Sequence, residues 1–439
     1  MIRQKLFTSV FFLLFALSAI ALVSAQEKPY IFRGGTIYPI EGDSIRNGSL
    51  VVHHGKIIAV GNAESIAAPP GAVSFDVTGK VIMPGLVDTH SHIGGGDGAD
   101  QSAALQPEIR ILDAIDVRSD TFKKALAGGI TTVNVMPGSG YLMSGQTAYL
   151  KLRRANSIND MLLCTDPITD ICGGMKMANG TNSIRNAPFP GTRAKSAAMV
   201  RQLFVKAQDY RARVQAAGGN PEKLPKRELD MEALVQVLEG KRTVHFHTHR
   251  HDDILTVLRL SKEFGFRVVL HHVSEGWKIA KEIAEAGAPC SIIVLDSPGG
   301  KLEAVDIRYE NGAILEKAGI TVAYHTDDWI TDSRLFLRSA ALGVRAGMSR
   351  QKALEAVTLA GAKILGLDSR VGSLKPGKDA DFVILSGHPL SVYAHVEETW
   401  IEGTKVFDRS NPEDRKYSVG GYEVFRGDAA DDSDKEGAE

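Results

Sequence analysis

The spacing of hydrophobic and polar positions changes several times along the 439-residue chain. Residues 27–82 carry short β-prone runs, YIFRGGTIYPI, SLVVHHGKIIAVG and AVSFDVTGKVIM, broken by Gly and Asp, which predicts strands with a hairpin at His54-Gly55-Lys56. VIMPGLVDTHSH, at 81–92, reads as a buried strand interrupted by Pro84-Gly85. Helical spacing over 107–128 ends at Gly128-Gly129, and ITTVNV, at 130–135, predicts a second strand. Residues 146–152 predict a third strand, and Met175-Lys176-Met177 forms a short apolar island. After helical patterns at 192–218 and 228–240 comes TVHFHTHRH, a strand with strict alternation over 243–251. Helices over 252–264, 275–287 and 303–318 then alternate with strands over 266–272, 290–296 and 321–327. Such a βα repeat implies a parallel sheet, and counting from 81 gives the eight strands of a TIM-type (β/α)8 barrel. The chain then returns to β texture, with a helix closing at Gly366, a hairpin between Gly372 and Gly377, a strand after Asp379-Ala380-Asp381 and two more strands over 392–407.

Composition adds little to this picture except at the start. With 44% hydrophobic and 23% charged residues the chain has the balance of a soluble globular protein, and its net charge of −1 offers no footprint for nucleic acid. Arg3 and Lys5, the apolar run 6–23 and the small residues of Val23-Ser24-Ala25 predict a signal peptide over 1–25 and a secreted or periplasmic protein. No second run has membrane length, so no stable membrane anchor is expected after cleavage; the alternative is an uncleaved anchor. Three cysteines make no disulfide framework; Cys164 and Cys172 either pair or are small buried residues.

The candidate chemistry sits at strand ends. His90 and His92 lie two apart, so in an extended chain both imidazoles leave on one face, suited to one metal ion. His245, His247, His249 and His251 share a face of the strand at 243–251. His271 and His272 have opposite parity, so only one is expected to face the barrel, and the same holds for Asp327 and Asp328. Lys176 is the single lysine of its apolar island.

PGLVDTHSH, VHFHTHRHDD and the stretch TLAGAKILGLDSRVGSLKPGKDADFVIL together resemble the amidohydrolase superfamily of metal-dependent hydrolases, in its prolidase- and imidazolonepropionase-like subgroup. The resemblance runs from about Tyr30 to Asp408, departing at Ala360-Gly361-Ala362, where the family usually has Asn-Pro-Ala. It implies a barrel over 83–364, flanked by a small β-sandwich built from both chain ends, 27–82 and 365–409, with a polar acidic tail over 410–439. It implies metal ligation by His90, His92, Lys176, His247, His272 and Asp327. His249 would reach substrate, His245 would be a core histidine and His251 would begin a loop. One or two divalent ions are expected; an imidazole-rich site suits zinc, with nickel, iron and manganese as alternatives. Lys176, neutral when buried, would be carbamylated by CO₂ and bridge two ions.

The implied reaction is hydrolysis of a C–N bond in a small amide, cyclic amide or dipeptide by a metal-activated hydroxide. Asp327 would act as general base and acid, and His272 or His249 would stabilise the oxyanion. Homo-oligomerisation stays open. An inactive amidohydrolase-fold binding or scaffold protein is the alternative, but such relatives typically lose ligands and here every position carries a competent residue. A sugar-binding barrel with paired carboxylates would explain neither the histidines nor the flanking strands. The export reading has a direct check: intact mass of the protein recovered outside the cytoplasm should correspond to a chain beginning at Gln26, and retention of residues 1–25 would overturn it.

Overall fold

The computed structural model describes residues 28–96, 98–293, 301–328 and 330–419. The expected signal peptide, the end of the expected strand 290–296 and the acidic end of the tail lie outside those residues. The first strands are β1 (Tyr30–Ile37), β2 (Ile45–His53), β3 (Lys56–Asn62), β4 (Val73–Asp76) and β5 (Val81–Pro84). β2 and β3 form the expected hairpin around a turn at His54 and Gly55. Pro84-Gly85 separates β5 from the next strand, and the chain there passes so close to Thr131 that a Cβ on Gly85 would meet its Oγ1 at 2.2 Å.

The barrel strands are β6 (Leu86–Ser91), β7 (Ile130–Val135), β8 (Met143–Gln146), β9 (Ala148–Lys151), β10 (Met175–Ala178), β11 (Val244–Thr248), β12 (Val268–His272), β13 (Cys290–Ile292) and β14 (Val322–Tyr324). They form two ladders, β6-β7-β9 and β14-β13-β12-β11-β10-β8. All neighbours are parallel except β7 with β9 and β10 with β8. The third position of the barrel is therefore filled by two consecutive short strands that run against the rest and pass from one ladder to the other at Thr147. An all-parallel barrel is corrected at that position. No ladder joins β14 to β6 among the described residues. That seam is held instead by the Asp327 amide donating to the His90 carbonyl at 2.9 Å and by Asp88, whose carboxylate accepts from the Thr326 amide at 3.1 Å and hydroxyl at 2.5 Å. The architecture is TIM-barrel-like α/β.

The chain ends meet as expected, with β15 (Phe382–Leu385), β16 (Val396–Ile401) and β17 (Thr404–Asp408) joining the first strands. They form one continuous sheet of eight strands, in the order β17-β16-β15-β5-β1-β2-β3 with β4 beside β1. Trp400 on β16 lies three strands from Phe32 on β1, which in a flat sheet would be ~14 Å. Their rings are 5.2 Å apart, so the sheet curls over a core that includes Phe32, Leu50, Ile82, Phe382 and Trp400.

Several element expectations change. Of 107–128 only α1 (Asp120–Ala127) is α-helical, begun by Ser119, whose Oγ accepts from the Thr121 amide. Residues 105–110 instead pair with the β8 segment, through Leu105 with Met143 and Arg110 with Gln146, so tertiary pairing overrides helix propensity. Helix α2 (Arg193–Ala216) and helix α3 (Leu229–Leu238) match expectation. Helix α4 (His251–Phe264) begins on His251, which was expected in a loop; its amide and Nδ1 both contact Glu275 Oε2, at 3.0 and 2.6 Å. Only α5 (Asn311–Lys317) of the expected helix 303–318 is α-helical. The tail is ordered further than expected, as α6 (Pro412–Val419) lays Tyr417 on α1, its hydroxyl 3.1 Å from Asp120 and Lys123. No described helix is long and apolar enough to cross a membrane. Cys164 and Cys172 are joined as a disulfide, and Cys290 is a buried free thiol.

The sheet of the chain ends is tied to the barrel by buried charge. Lys151, at the end of β9 and fully buried, contacts Asp379, Asp381 at 3.1 Å and Glu402 at 3.2 Å. Lys56 reaches the same Asp379 at 2.5 Å, but its side chain is 48% exposed. Lys151→Met strands buried carboxylates and should lower unfolding free energy by about 3–5 kcal/mol. Lys56→Met should cost less than about 1 kcal/mol. Urea denaturation midpoints check the contrast.

Candidate metal centre

His90 and His92 leave the end of β6 together, their Nε2 atoms 3.3 Å apart. His90 is fully buried, while the His92 side chain is 26% exposed. His92 Nδ1 lies 2.9 Å from the Met136 carbonyl, which needs a proton on that nitrogen and in the neutral ring leaves the Nε2 lone pair free. That Nε2 lies 3.0 Å from Asp327 Oδ1, and His90 Nε2 lies 3.4 Å from the same oxygen. Burial would raise the Asp327 carboxyl, but the adjacent His92 imidazole, with His325 and Lys176 nearby, outweighs it and holds it well below the usual carboxylate range. Asp328 turns the other way, to Lys124 on α1 at 3.1 Å, and so does not compete for the centre.

The second wall comes from β11 and β12. His247 and His272 rings approach to 4.0 Å, and His249 lies 4.7 and 4.9 Å from them. His249 Nδ1 is fixed by Ser274 Oγ at 2.8 Å. The parity argument for β12 fails: the rings of both His271 and His272 lie against His90, at 5.0 and 5.2 Å. The reason is backbone conformation. His272 has φ 67° and Val273 φ 51°, so the chain leaves extended geometry at the strand end and alternation no longer holds. Asp327 has φ 48°, a third left-handed position at this centre. His245 lies below with both nitrogens bonded, Nδ1 to His271 Nε2 at 2.9 Å and Nε2 to the Tyr149 hydroxyl at 2.8 Å. Gly174 makes room for it, since a Cβ there would come within 2.2 Å of the His245 ring.

Lys176 is fully buried on β10 and points at the strand-end pair, its Nζ 2.9 Å from His90 Nε2. Burial, opposed by Asp327 and aided by Lys301, brings its ammonium down to about 7. Burial likewise depresses His90, His247 and His272 well below the ordinary histidine value, and His249 to about 3. These rings are therefore neutral at pH 7, the state that binds metal.

The sequence reading missed His325 and Asp88. His325 stands two residues before Asp327 with the same parity, the signal already used for His90 and His92. Asp88 is the one carboxylate of β6 and is fully buried; burial raises it to about 7, against hydrogen bonds from Thr326 and the His90 amide.

The donor set fits a divalent ion. His90, His92 and Asp327 offer ligand atoms within 4.8 Å of one another, as do His247, His249 and His272, and His90, His272 and His325. Both nitrogens of His247, and Nε2 of His249, His272 and His325, are buried without a hydrogen-bond partner. Buried polar atoms are seldom left so, and a cation would satisfy them.

Comparison with known proteins agrees with this geometry. The sequence profile of the Amidohydrolase family matches residues 81–407. The chain is 28% identical over 429 residues to "Amidohydrolase tasK" of Hapsidospora irregularis, covering 87% of this chain but only 43% of that longer relative. It is 25% identical over 383 residues to an imidazolonepropionase of Symbiobacterium thermophilum, covering 78% of this chain and 84% of the relative. The crystal structure of an amidohydrolase from Thermotoga maritima MSB8 superposes with a TM-score of 0.80 at 33% identity, over 87% of this chain and 100% of that one. The chain belongs to the amidohydrolase family.

Proposed function

We propose that this protein is a secreted metal-dependent amidohydrolase that hydrolyses a C–N bond in a small amide, cyclic amide or dipeptide. The observation that carries the reading is the set of buried, unpartnered imidazole nitrogens of His247, His249 and His272 facing the group formed by His90, His92 and Asp327. The names of the relatives, amidohydrolase and imidazolonepropionase, support the same bond class. His90, His92 and Asp327 would hold one ion, and His247 and His272 a second, with Lys176 shared between them as a carbamate. Burial brings the Lys176 ammonium down to about 7, which favours the neutral amine that carbamylation needs, and its Nζ lies 2.9 Å from His90 Nε2. Zinc suits the imidazole-rich donor set. Export is supported by the N-terminal pattern and by the Cys164–Cys172 disulfide, which belongs to an oxidising compartment.

When bound, the ions supply Lewis acidity toward a substrate carbonyl and lower the pKa of coordinated water from 15.7 to about 7. The protein's own part is positional and acid–base. Asp327, kept ionised, takes the proton of the attacking water and delivers it to the leaving nitrogen. Its left-handed backbone places the carboxylate within 3.4 Å of both strand-end histidines, and the Asp88 clamp on Thr326 holds that turn. His249, oriented by Ser274, has Nε2 available to the substrate carbonyl.

Purified protein should carry one to two equivalents of divalent metal, and chelation should abolish hydrolysis of amides, lactams or dipeptides in a substrate screen. Asp327→Asn should lower kcat by about 10²–10⁴-fold. Full activity in a metal-free sample would sink the reading. Lys176 decides nuclearity: Lys176→Ala should lose about half the bound metal, with partial restoration by short carboxylic acids. Lys176→Arg should not recover it, because a guanidinium stays charged and cannot be carbamylated. Unchanged metal content in Lys176→Ala would show that the lysine does not bridge.

A further inference from the structure

His325 has no part in the mechanism above, yet it lies against two of the candidate ligands. Its ring lies 4.8 Å from that of His90 and 4.8 Å from that of His272, which are themselves 5.2 Å apart, so the three form a nearly equilateral triangle. His90 belongs to the first candidate ion group and His272 to the second, and His325 is equally close to both. It is fully buried, and its Nε2 has no hydrogen-bond partner. Its Nδ1 is 2.8 Å from Ser291 Oγ, which is 2.6 Å from Thr89 Oγ1. A core histidine would be expected to have both nitrogens bonded, as His245 does through His271 and Tyr149. His325 has one nitrogen tied to the barrel interior and the other presented to two candidate ligands.

We infer that His325 is a metal ligand, its Nε2 adding an imidazole to one of the two ion groups to which His90 and His272 belong. In the tautomer that serves this role, Nδ1–H donates to Ser291 Oγ, the Ser291 hydroxyl donates to Thr89 Oγ1, and the Nε2 lone pair faces His90 and His272. Such a hydrogen bond on the far nitrogen is the usual means of orienting a ligating imidazole. Three neutral imidazoles favour Zn²⁺, Co²⁺ or Ni²⁺ over Mg²⁺. The inference rests on the metal-dependent reading and adds a ligand to it.

The test is Co²⁺ titration of metal-free full-length protein, followed by visible absorption and by metal content after dialysis, in wild type, His325→Ala, His325→Asn and Ser291→Ala. Folding is checked by circular dichroism. His325→Ala should lose one equivalent or bind it more than about 100-fold more weakly, with altered cobalt absorption bands. Ser291→Ala, which leaves the ring in place but frees Nδ1, should weaken binding by about 10–100-fold. If His325→Ala does not fold, His325→Asn and Ser291→Ala decide by the same measurements. Wild-type affinity, stoichiometry and spectrum in the folded variants would overturn the ligand assignment and leave the metal-dependent reading standing. Failure of wild type itself to bind Co²⁺ or Zn²⁺ would overturn both.

Discussion

The constraint on which the rest depends is desolvation of the imidazoles at the barrel mouth. An unsatisfied buried polar group costs about 1–3 kcal/mol, and His247, His249, His272 and His325 each bring at least one such nitrogen. Burial also removes their charge, since an imidazolium in this setting would be far costlier than a neutral ring. Lys176 is brought to about 7 by the same effect. Neutral imidazoles, a near-neutral amine and one ionised carboxylate form a donor set whose unmet demand a divalent cation answers.

Holding that set in register uses backbone geometry that ordinary strands do not provide. His272, Val273 and Asp327 adopt left-handed φ values, each costing on the order of 1–3 kcal/mol for a residue with a side chain. The surrounding barrel offsets the strain. The Asp88 carboxylate grips Thr326 beside Asp327, and the Asp327 amide donates to the His90 carbonyl, so the two strand ends that meet at the centre are tied across the seam where no ladder forms. The sheet built from the chain ends braces the other side. Lys151 at the end of β9 meets Asp379, Asp381 and Glu402 in a buried charge cluster that couples the curled sheet to the barrel's irregular third position.

Much of this was legible because it is local. Period-two apolar runs located the strands, and the i, i+2 spacing of His90 with His92 and of His247 with His249 placed each pair on one face. β texture returned after Gly366, and the family resemblance of that stretch implied that the chain ends would pair, as β15 does with β5. The failures share a cause. Residues 107–110 have helical spacing but lie in a segment that runs beside β8, and His271 and His272 have opposite parity but lie against the same ring. In both places a long-range contact or a left-handed residue replaces the regular backbone that periodicity assumes.

The sequence by itself therefore determined which residue types end each strand and the βα alternation, since both follow from side-chain spacing along a regular backbone, while the joining of the two chain ends was implied by the family resemblance. Only the tertiary structure decided that the third barrel position runs antiparallel, that Cys164 pairs with Cys172, that Lys176 points at His90 and that His325 lies beside both His90 and His272. Those outcomes depend on distances between residues far apart in the chain and on backbone torsions at strand ends, and neither is encoded in periodicity.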